Sequence, residues 1–209
     1  MKLIIFGATG GTGSQLVRQA LENGHDVTAF ARSPEKLGLD HQRLKLFKGD
    51  VLDLVSVQQA MLRQDAVLCS LGAPAMNKKG LRSNGTKNII HAMEKEGVRR
   101  FICQSALGCG DSHSLLPFHY KYFIIPLMLR YVYADHEIQE RYIRESKLEW
   151  TIIRCAALTN GRYTNSYWHG FEVTGKPLTM KISRADVAGF MLKQLEDDTY
   201  LQKAPGISY

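Results

Sequence analysis

The chain reads as an α/β protein, a single domain over residues 1–209 built on a doubly wound parallel sheet. Three observations carry that expectation. Short apolar runs alternate with helical patterns along the whole chain, the mark of βαβ units. The first apolar run, "KLIIF", stops at a glycine-rich loop, "GATGGTG", from which a helical pattern starts. The length suits one well-buried core, and no repeat, low-complexity tract or linker-like stretch divides it.

In order, "KLIIF" is a buried strand, and "GSQLVRQALENG" spaces its apolar residues helically and ends on Gly24, a C-cap signal. "DVTAFA" is strand-like, "RLKLFKGD" alternates as a strand does, and "LVSVQQAML" is a short amphipathic helix. "DAVLCSLG" is a strand. "SNGTKNIIHAMEKEG" is a helix, with Ser83 or Asn84 as its cap and Gly97 at its end. "RRFICQSALG" is a strand that runs into a loop. A long, mostly helical stretch from about Tyr120 to Ser146 precedes the strand "WTIIRC". "SRADVAGFMLKQLED" is a last helix, with Ser183 as N-cap. Crossovers between parallel strands are right-handed, and ligands of such sheets sit at the carboxyl ends of the strands. Those ends carry "GATGGTG", "ARSPEK", "GDV", "SLGAP", "QSALG" and "RCAALTNG", which define the candidate site.

Composition excludes several classes. Only four apolar residues follow Met1-Lys2, and the longest later run, "FIIPLMLRYVY", is broken by Pro126 and Arg130. Neither spans a bilayer, so a soluble protein with no membrane partner is expected. Cys69, Cys103, Cys109 and Cys155 show no CxxC spacing, and Cys103 and Cys109 with His113 and His119 fit no common zinc finger. No metal and a reduced, cytoplasmic setting are expected. The net charge of +7 is scattered apart from Lys78-Lys79 and Arg99-Arg100. It reads as a solvated surface or as a field that draws in an anionic cofactor or substrate. No basic stripe or reading helix points to nucleic acid.

The glycine loop is the sharpest local signal. Gly7, Gly10 and Gly13 stand between a strand and a helix. Such glycines permit a tight turn, close approach of a ligand to the backbone, and close packing of helix on strand. The first-turn N–H groups and the helix dipole favour phosphate, so a dinucleotide is expected here. The second strand ends on Ala31-Arg32, where an NAD-selective fold places a carboxylate for the ribose hydroxyls. Arg32, with Lys36 nearby, suits the 2′-phosphate of NADPH instead. Asp50 and Val51, in "GDV", flank the expected adenine position. Asp50 accepts from the adenine amino group in one reading and caps the helix starting near Asp53 in the other.

Taken together, "GATGGTG", "ARSPEKL", "GDV", "SNGTKNIIHAM", "ESKLEWTIIR" and "ISRADVAGFML" resemble the atypical short-chain dehydrogenase/reductases with a Rossmann-like NAD(P)-binding domain. Within that family the resemblance is strongest to the biliverdin-IXβ and NADPH flavin reductases, and it runs over nearly the whole chain. It implies that Thr9, Gly10, Gly11 and Thr12 surround the pyrophosphate, and that Arg32 and Lys36 hold the 2′-phosphate. It implies Leu71 and Gly72 on the adenosine side. Ser105 then lies near the nicotinamide, with Cys155 and the backbone of Ala156, Ala157 and Leu158 opposite. The chain also departs from the family. The Tyr-x-x-x-Lys dyad is absent, since Asp135 stands four residues after Tyr131. Ala157 stands where the biliverdin reductase pattern has a His, and Arg154-Cys155 replace an Arg-Pro or Pro-Pro start.

For chemistry, Ser105 closes the fifth strand, where its hydroxyl serves a substrate oxygen or a water, or bonds to backbone. His136 and Glu137 lie on the long helix, facing the nicotinamide or solvent. Arg154 binds an anionic substrate or pairs with a carboxylate. "LLPFHYKYFIIPLMLRYVY" is a helix packed on the sheet, a lid over a planar substrate, or a dimer surface. The expected function is NADPH-dependent reduction of a flavin, quinone or similar planar acceptor, with biliverdin included, by a monomer or weak homodimer. The other reading is a cofactor-sensing regulator or scaffold that does no chemistry.

Overall fold

The computed structural model describes residues 1–76, 78–170 and 178–209. Its elements begin β1 (Lys2–Phe6), α1 (Gly11–Glu22), β2 (Asp26–Ala31), β3 (Leu44–Lys48), α2 (Leu54–Met61), β4 (Ala66–Cys69), α3 (Leu81–Glu96) and β5 (Arg100–Ala106). A π-helical segment (Tyr120–Leu129) then leads into α4 (Arg130–Glu145). The chain continues through β6 (Glu149–Cys155), β7 (Ala157–Thr159), β8 (Trp168–Gly170), β9 (Lys181–Ser183), α5 (Arg184–Lys193) and β10 (Gly206–Ser208).

The main sheet runs β3-β2-β1-β4-β5-β6-β10-β8. Strands β3 to β10 are parallel, and β8 adds to the far edge antiparallel to β10. The four short strands β7 to β10 carry too few residues to show a periodicity, and the sequence pattern did not reveal them. Along β1 the side chains alternate between faces, as a pleated strand requires. Leu3 and Ile5 join a core with Leu16 and Val17 of α1 and Val187 and Met191 of α5. Ile4 and Phe6 join a second core with Val57 of α2, Ile89 and Met93 of α3, and Ile143 of α4. A sheet covered on both faces needs strands that are apolar throughout, which is why "KLIIF" and "AVLC" are unbroken runs. The order in which successive strands are added reverses between the parallel neighbours β1 and β4, so the connections after these strands leave to opposite sides and open a crevice.

Helix ends follow two rules. Gly24 has φ +79° and follows the Asn23 cap of α1, its N–H donating to Leu21 O at 2.9 Å. Ser183 caps α5 through Asp186 N, and Asp53 caps α2 through Val55 N. Helix α3 breaks the local rule. It starts at Leu81, ahead of Ser83 and Asn84, and its backbone cap residue is Gly80. The side-chain cap comes from α4, where Asp135 accepts from Arg82 N at 3.0 Å and Ser83 N at 2.9 Å. Ser83 itself donates its hydroxyl to Asp135 at 2.6 Å. The expectation of Ser83 or Asn84 as cap is therefore corrected: a cap supplied across space leaves no local spacing to read.

The long helical stretch is two elements. Residues Tyr120–Leu129 take wide turns with Pro126 inside and bury none of their side chains, whereas α4 is regular and half buried. Proline has no N–H to give to an i→i−4 ladder, and wide turns of this kind collect at functional sites.

Candidate cofactor and active site

A cavity of about 650 Å³ opens at the carboxyl ends of the central strands. One half is made of backbone. Gly7 has φ +77°, and a Cβ there would lie 2.6 Å from Ser70 O, so only glycine lets the β1 and β4 loops touch. A Cβ on Gly13 would lie 2.1 Å from Gly7 O. That contact sets α1 hard against the end of β1. Helix α1 has neither a side-chain cap nor an acidic residue in its first turn. Its first amides have no partner within the helix, and Gly10, Gly11 and Thr12 lie on the cavity wall. Arg184, at the start of α5, lies across Gly11, where a Cβ would meet its Cδ at 2.5 Å. Arg184 Nη1 is held by Asn160 Oδ1 at 2.7 Å. A glycine cradle, open amides and a fixed cation fit the pyrophosphate of a dinucleotide.

Arg32 follows β2 and lines the cavity with Ala31, Asp50 and Val51. Asp50 does not cap α2. Its carboxylate accepts Leu52 N at 3.0 Å in a tight turn, and the cap belongs to Asp53. Leu71 and Gly72 line the wall on the β4 side, and Cys155, Ala156, Ala157 and Leu158 line it across the cavity. Thr9 also lies on the wall, whereas Gly13 and Lys36 do not. Gly13 acts beneath the loop, and Lys36 is exposed on the turn Pro34–Leu37, whose Pro34 and Leu37 are buried. Burial pushes the Cys155 thiol far above its usual range, so it is a wall atom rather than a nucleophile.

The other half is made of side chains. Leu107, Leu116, Tyr120, Leu129, Val132 and Tyr133 form an apolar and aromatic wall from the β5 loop, the π-helical segment and α4. The segment around Tyr120–Leu129 thus roofs the cavity. It turns Phe118, Tyr122, Phe123, Leu127 and Met128 outward, each more than half exposed. Tyr120 and Ile125 of this segment pack half-buried against the core, and none of its residues is fully buried, so it rests on the fold by part of one face only.

Beneath that wall lies a buried polar chain. Ser105 Oγ donates to Glu140 Oε1 at 2.7 Å. Glu140 takes a two-point grip from Arg154, Nε to Oε1 at 3.0 Å and Nη2 to Oε2 at 2.7 Å. Arg154 also bonds Asp111 through Nη1. Arg154 is 1% exposed and does not reach the cavity, so its partners are carboxylates and not an anionic substrate. Burial works against its charge, but the bonds to Glu140 and Asp111 hold it above the usual arginine value. His136 lines the cavity, buried, with Nδ1 3.0 Å from Gln139 Oε1 and 3.5 Å from Ser105 Oγ. Burial, helped by the Arg82 cation, lowers its pKa to about 4, so the ring is neutral at pH 7. Donation from Nδ1 to the Gln139 oxygen leaves Nε2 as the acceptor nitrogen. Glu137 turns away and accepts Gly110 N at 2.7 Å.

Sequence reasoning missed Arg82, Tyr133 and Arg184 on this wall. Each comes from a helix whose pattern reports only its packed face, and no spacing marks them. Among the described residues no group of His, Cys, Asp and Glu gathers to hold a metal, and no helix is long and apolar enough to cross a membrane.

Comparison with known proteins places the chain. The model of a family described as NAD(P)H-binding matches residues 7–198, a span that includes the glycine loop and both halves of the cavity. The chain belongs to this NAD(P)H-binding family. It is 26% identical to the photosystem II assembly factor Ycf39 of Synechocystis, over 97% of this chain and 61% of that protein. The chain therefore spans about three-fifths of the length of that relative. A short-chain dehydrogenase/reductase from Veillonella parvula, solved in complex with NADP, superposes with a TM-score of 0.81 at 20% identity, covering 100% of this chain and 94% of that one. ChuY of Escherichia coli O157:H7, an anaerobillin reductase, superposes with a TM-score of 0.78 at 23% identity, covering 99% and 96%. The NAD(P)H-binding domain thus has a Rossmann-like fold.

Proposed function

We propose that this NAD(P)H-binding protein is an NADPH-dependent reductase of a flavin, a quinone or a similar planar acceptor, open-chain tetrapyrroles included. The observation that carries this reading is the apolar, aromatic wall of Leu116, Tyr120, Leu129 and Tyr133 over a floor with no Tyr-Lys dyad. When bound, NADPH supplies a hydride from nicotinamide C4. The wall lays a flat ring system against that position and excludes water, and positioning alone accounts for much of the rate of such a transfer. A carbonyl acceptor develops alkoxide charge and calls for a strong donor. Here the Ser105 proton goes to Glu140, the Tyr133 hydroxyl donates to Leu107 O and the His136 ring is neutral, so none of these three is poised as an acid toward the acceptor. A flavin or quinone spreads the incoming charge over its rings and takes its proton from water. The likeness to ChuY supports a planar acceptor of this kind.

Choice of NADPH over NADH rests on Arg32 at the end of β2, with no carboxylate beside it for the ribose hydroxyls. Asp50 stands at the end of β3 and is tied to Leu52 N.

The test is NADPH oxidation, followed by absorbance, across FMN, FAD, quinones, aldehydes and ketones. Reduction of flavins or quinones with inert aldehydes and ketones is expected. Robust ketone reduction with inert flavins would sink the reading. A second reading has its own observation: the committed Ser105 proton and neutral His136 suit a site that binds cofactor without turning it over. The likeness to the assembly factor Ycf39 favours a cofactor-sensing regulator or scaffold of that type. Tight NADPH binding with no oxidation by any acceptor would decide for it.

A further inference from the structure

Among the described residues, three arginines are buried: Arg82, Arg100 and Arg154. Two have their donors filled. Arg100 gives Nε and Nη2 to Gln194 O and Nη1 to Glu149 O at 2.8 Å. Arg154 has the carboxylates of Glu140 and Asp111. Arg82 is different. Its Nε is buried with no partner, and Nη2 reaches Ala73 O only at 3.3 Å. Its ion pair with Asp135 is 3.6 Å long. That carboxylate is already committed to two backbone amides and the Ser83 hydroxyl. A buried guanidinium with an unfilled donor is costly, since buried polar groups are otherwise paired. Of the three, Arg82 alone is on the cavity wall.

Its position separates it from the cofactor cations. Arg184 lies over Gly11, and Arg32 follows β2. Arg82 stands between the β4 loop and α4, beside Asp135 and His136, at the half with the apolar wall. We infer that Arg82 is an anion subsite that takes an oxyanion carried by the acceptor, a phosphate or a carboxylate. This rests on the planar-acceptor reading and names its substrate class: a flat ring system with an acidic tail. The guanidinium fork suits two oxygens of such a group.

Riboflavin and FMN differ by one phosphate and provide the test. Each is titrated by fluorescence quenching into protein saturated with NADP+. FMN is expected to bind at least about tenfold more tightly, the strength of one charge-assisted hydrogen bond. Arg82→Met is expected to bring FMN down to the affinity of riboflavin while the NADP+ dissociation constant stays within about twofold. Arg82→Lys, which keeps the charge but loses the fork, is expected to restore part of the preference and guards against a folding artefact. Equal binding of the two flavins, or no binding of either, would overturn the inference. So would an NADP+ affinity that falls in Arg82→Met as far as FMN affinity does, which would assign the cation to the cofactor. The two readings fail separately. Selective FMN binding without NADPH oxidation leaves the subsite standing and removes the redox role, whereas fast reduction of both flavins with equal binding does the reverse.

Discussion

The two halves of the cavity are built by different means. The cofactor half is mostly main chain: tight loops after β1 and β4, glycines that touch carbonyl oxygens, and helix amides with no side-chain cap. The acceptor half is side chain throughout, an apolar roof over a polar chain that runs from the buried Ser105, Glu140 and Arg154 out to the exposed Asp111. A backbone site is fixed by sterics and holds one ligand shape. A side-chain site is fixed by charge pairing below and tolerates variation above.

The largest effect is expected where the acceptor half is anchored. Glu140→Ala strips Arg154 of its two-point partner inside the core, leaving Asp111 alone. It should cost about 3–5 kcal/mol in chemical denaturation, the usual toll for breaking a buried pair. A loss below about 1 kcal/mol would mean the chain carries no structural weight. Next comes acid. His136 has a pKa of about 4 in the folded protein, below the 6.5 of an unfolded chain, so the unfolded state binds the extra proton first. The stability from its neutral ring is complete above pH 6.5 and is lost as pH falls through 4. The total is roughly 3 kcal/mol, and it should vanish from the pH profile of His136→Gln.

In the cofactor half the tests are steric. Gly13→Ala drives a methyl into Gly7 O, a backbone atom that no rotamer can move, and should cost toward the top of the about 1–3 kcal/mol overpacking range and weaken NADP(H) binding. Gly72→Ala is the matched control. Its Cβ meets no protein atom within 4 Å, so the melting temperature should hold. Equal damage at both would erase the steric distinction. Arg32→Ala should cost about 1–3 kcal/mol in NADPH binding and leave NADH binding nearly unchanged. A parallel loss for both cofactors would remove the 2′-phosphate assignment. The smallest effect belongs to Ser105. Since its proton already serves Glu140, Ser105→Ala should slow turnover only about tenfold, short of the 10²–10⁴-fold that follows loss of an essential acid.

The same division explains what could be read from the sequence. The six central strands and the glycine loop were legible because each is written in consecutive residues: an unbroken apolar run, then glycines at a fixed spacing. Arg32 was legible as a missing carboxylate. The acceptor half was not, because its parts meet only in three dimensions. Ser105, Glu140 and Arg154 come from β5, α4 and β6, and no spacing in the chain announces that they touch. Arg82 and Asp135 lie 53 positions apart and become one unit only when α4 packs on α3. The β10 strand is too short for any pattern, yet it sits inside the sheet between β6 and β8.

Asp135 has a consequence for motion. It sits one turn into α4, just past the π-helical roof, and its carboxylate closes the first amides of α3. Any breathing of the roof that pulls on this turn unlatches Arg82 N and Ser83 N in the same instant. Amide hydrogen exchange at those two positions then reports the opening of the cavity itself, though neither belongs to the roof.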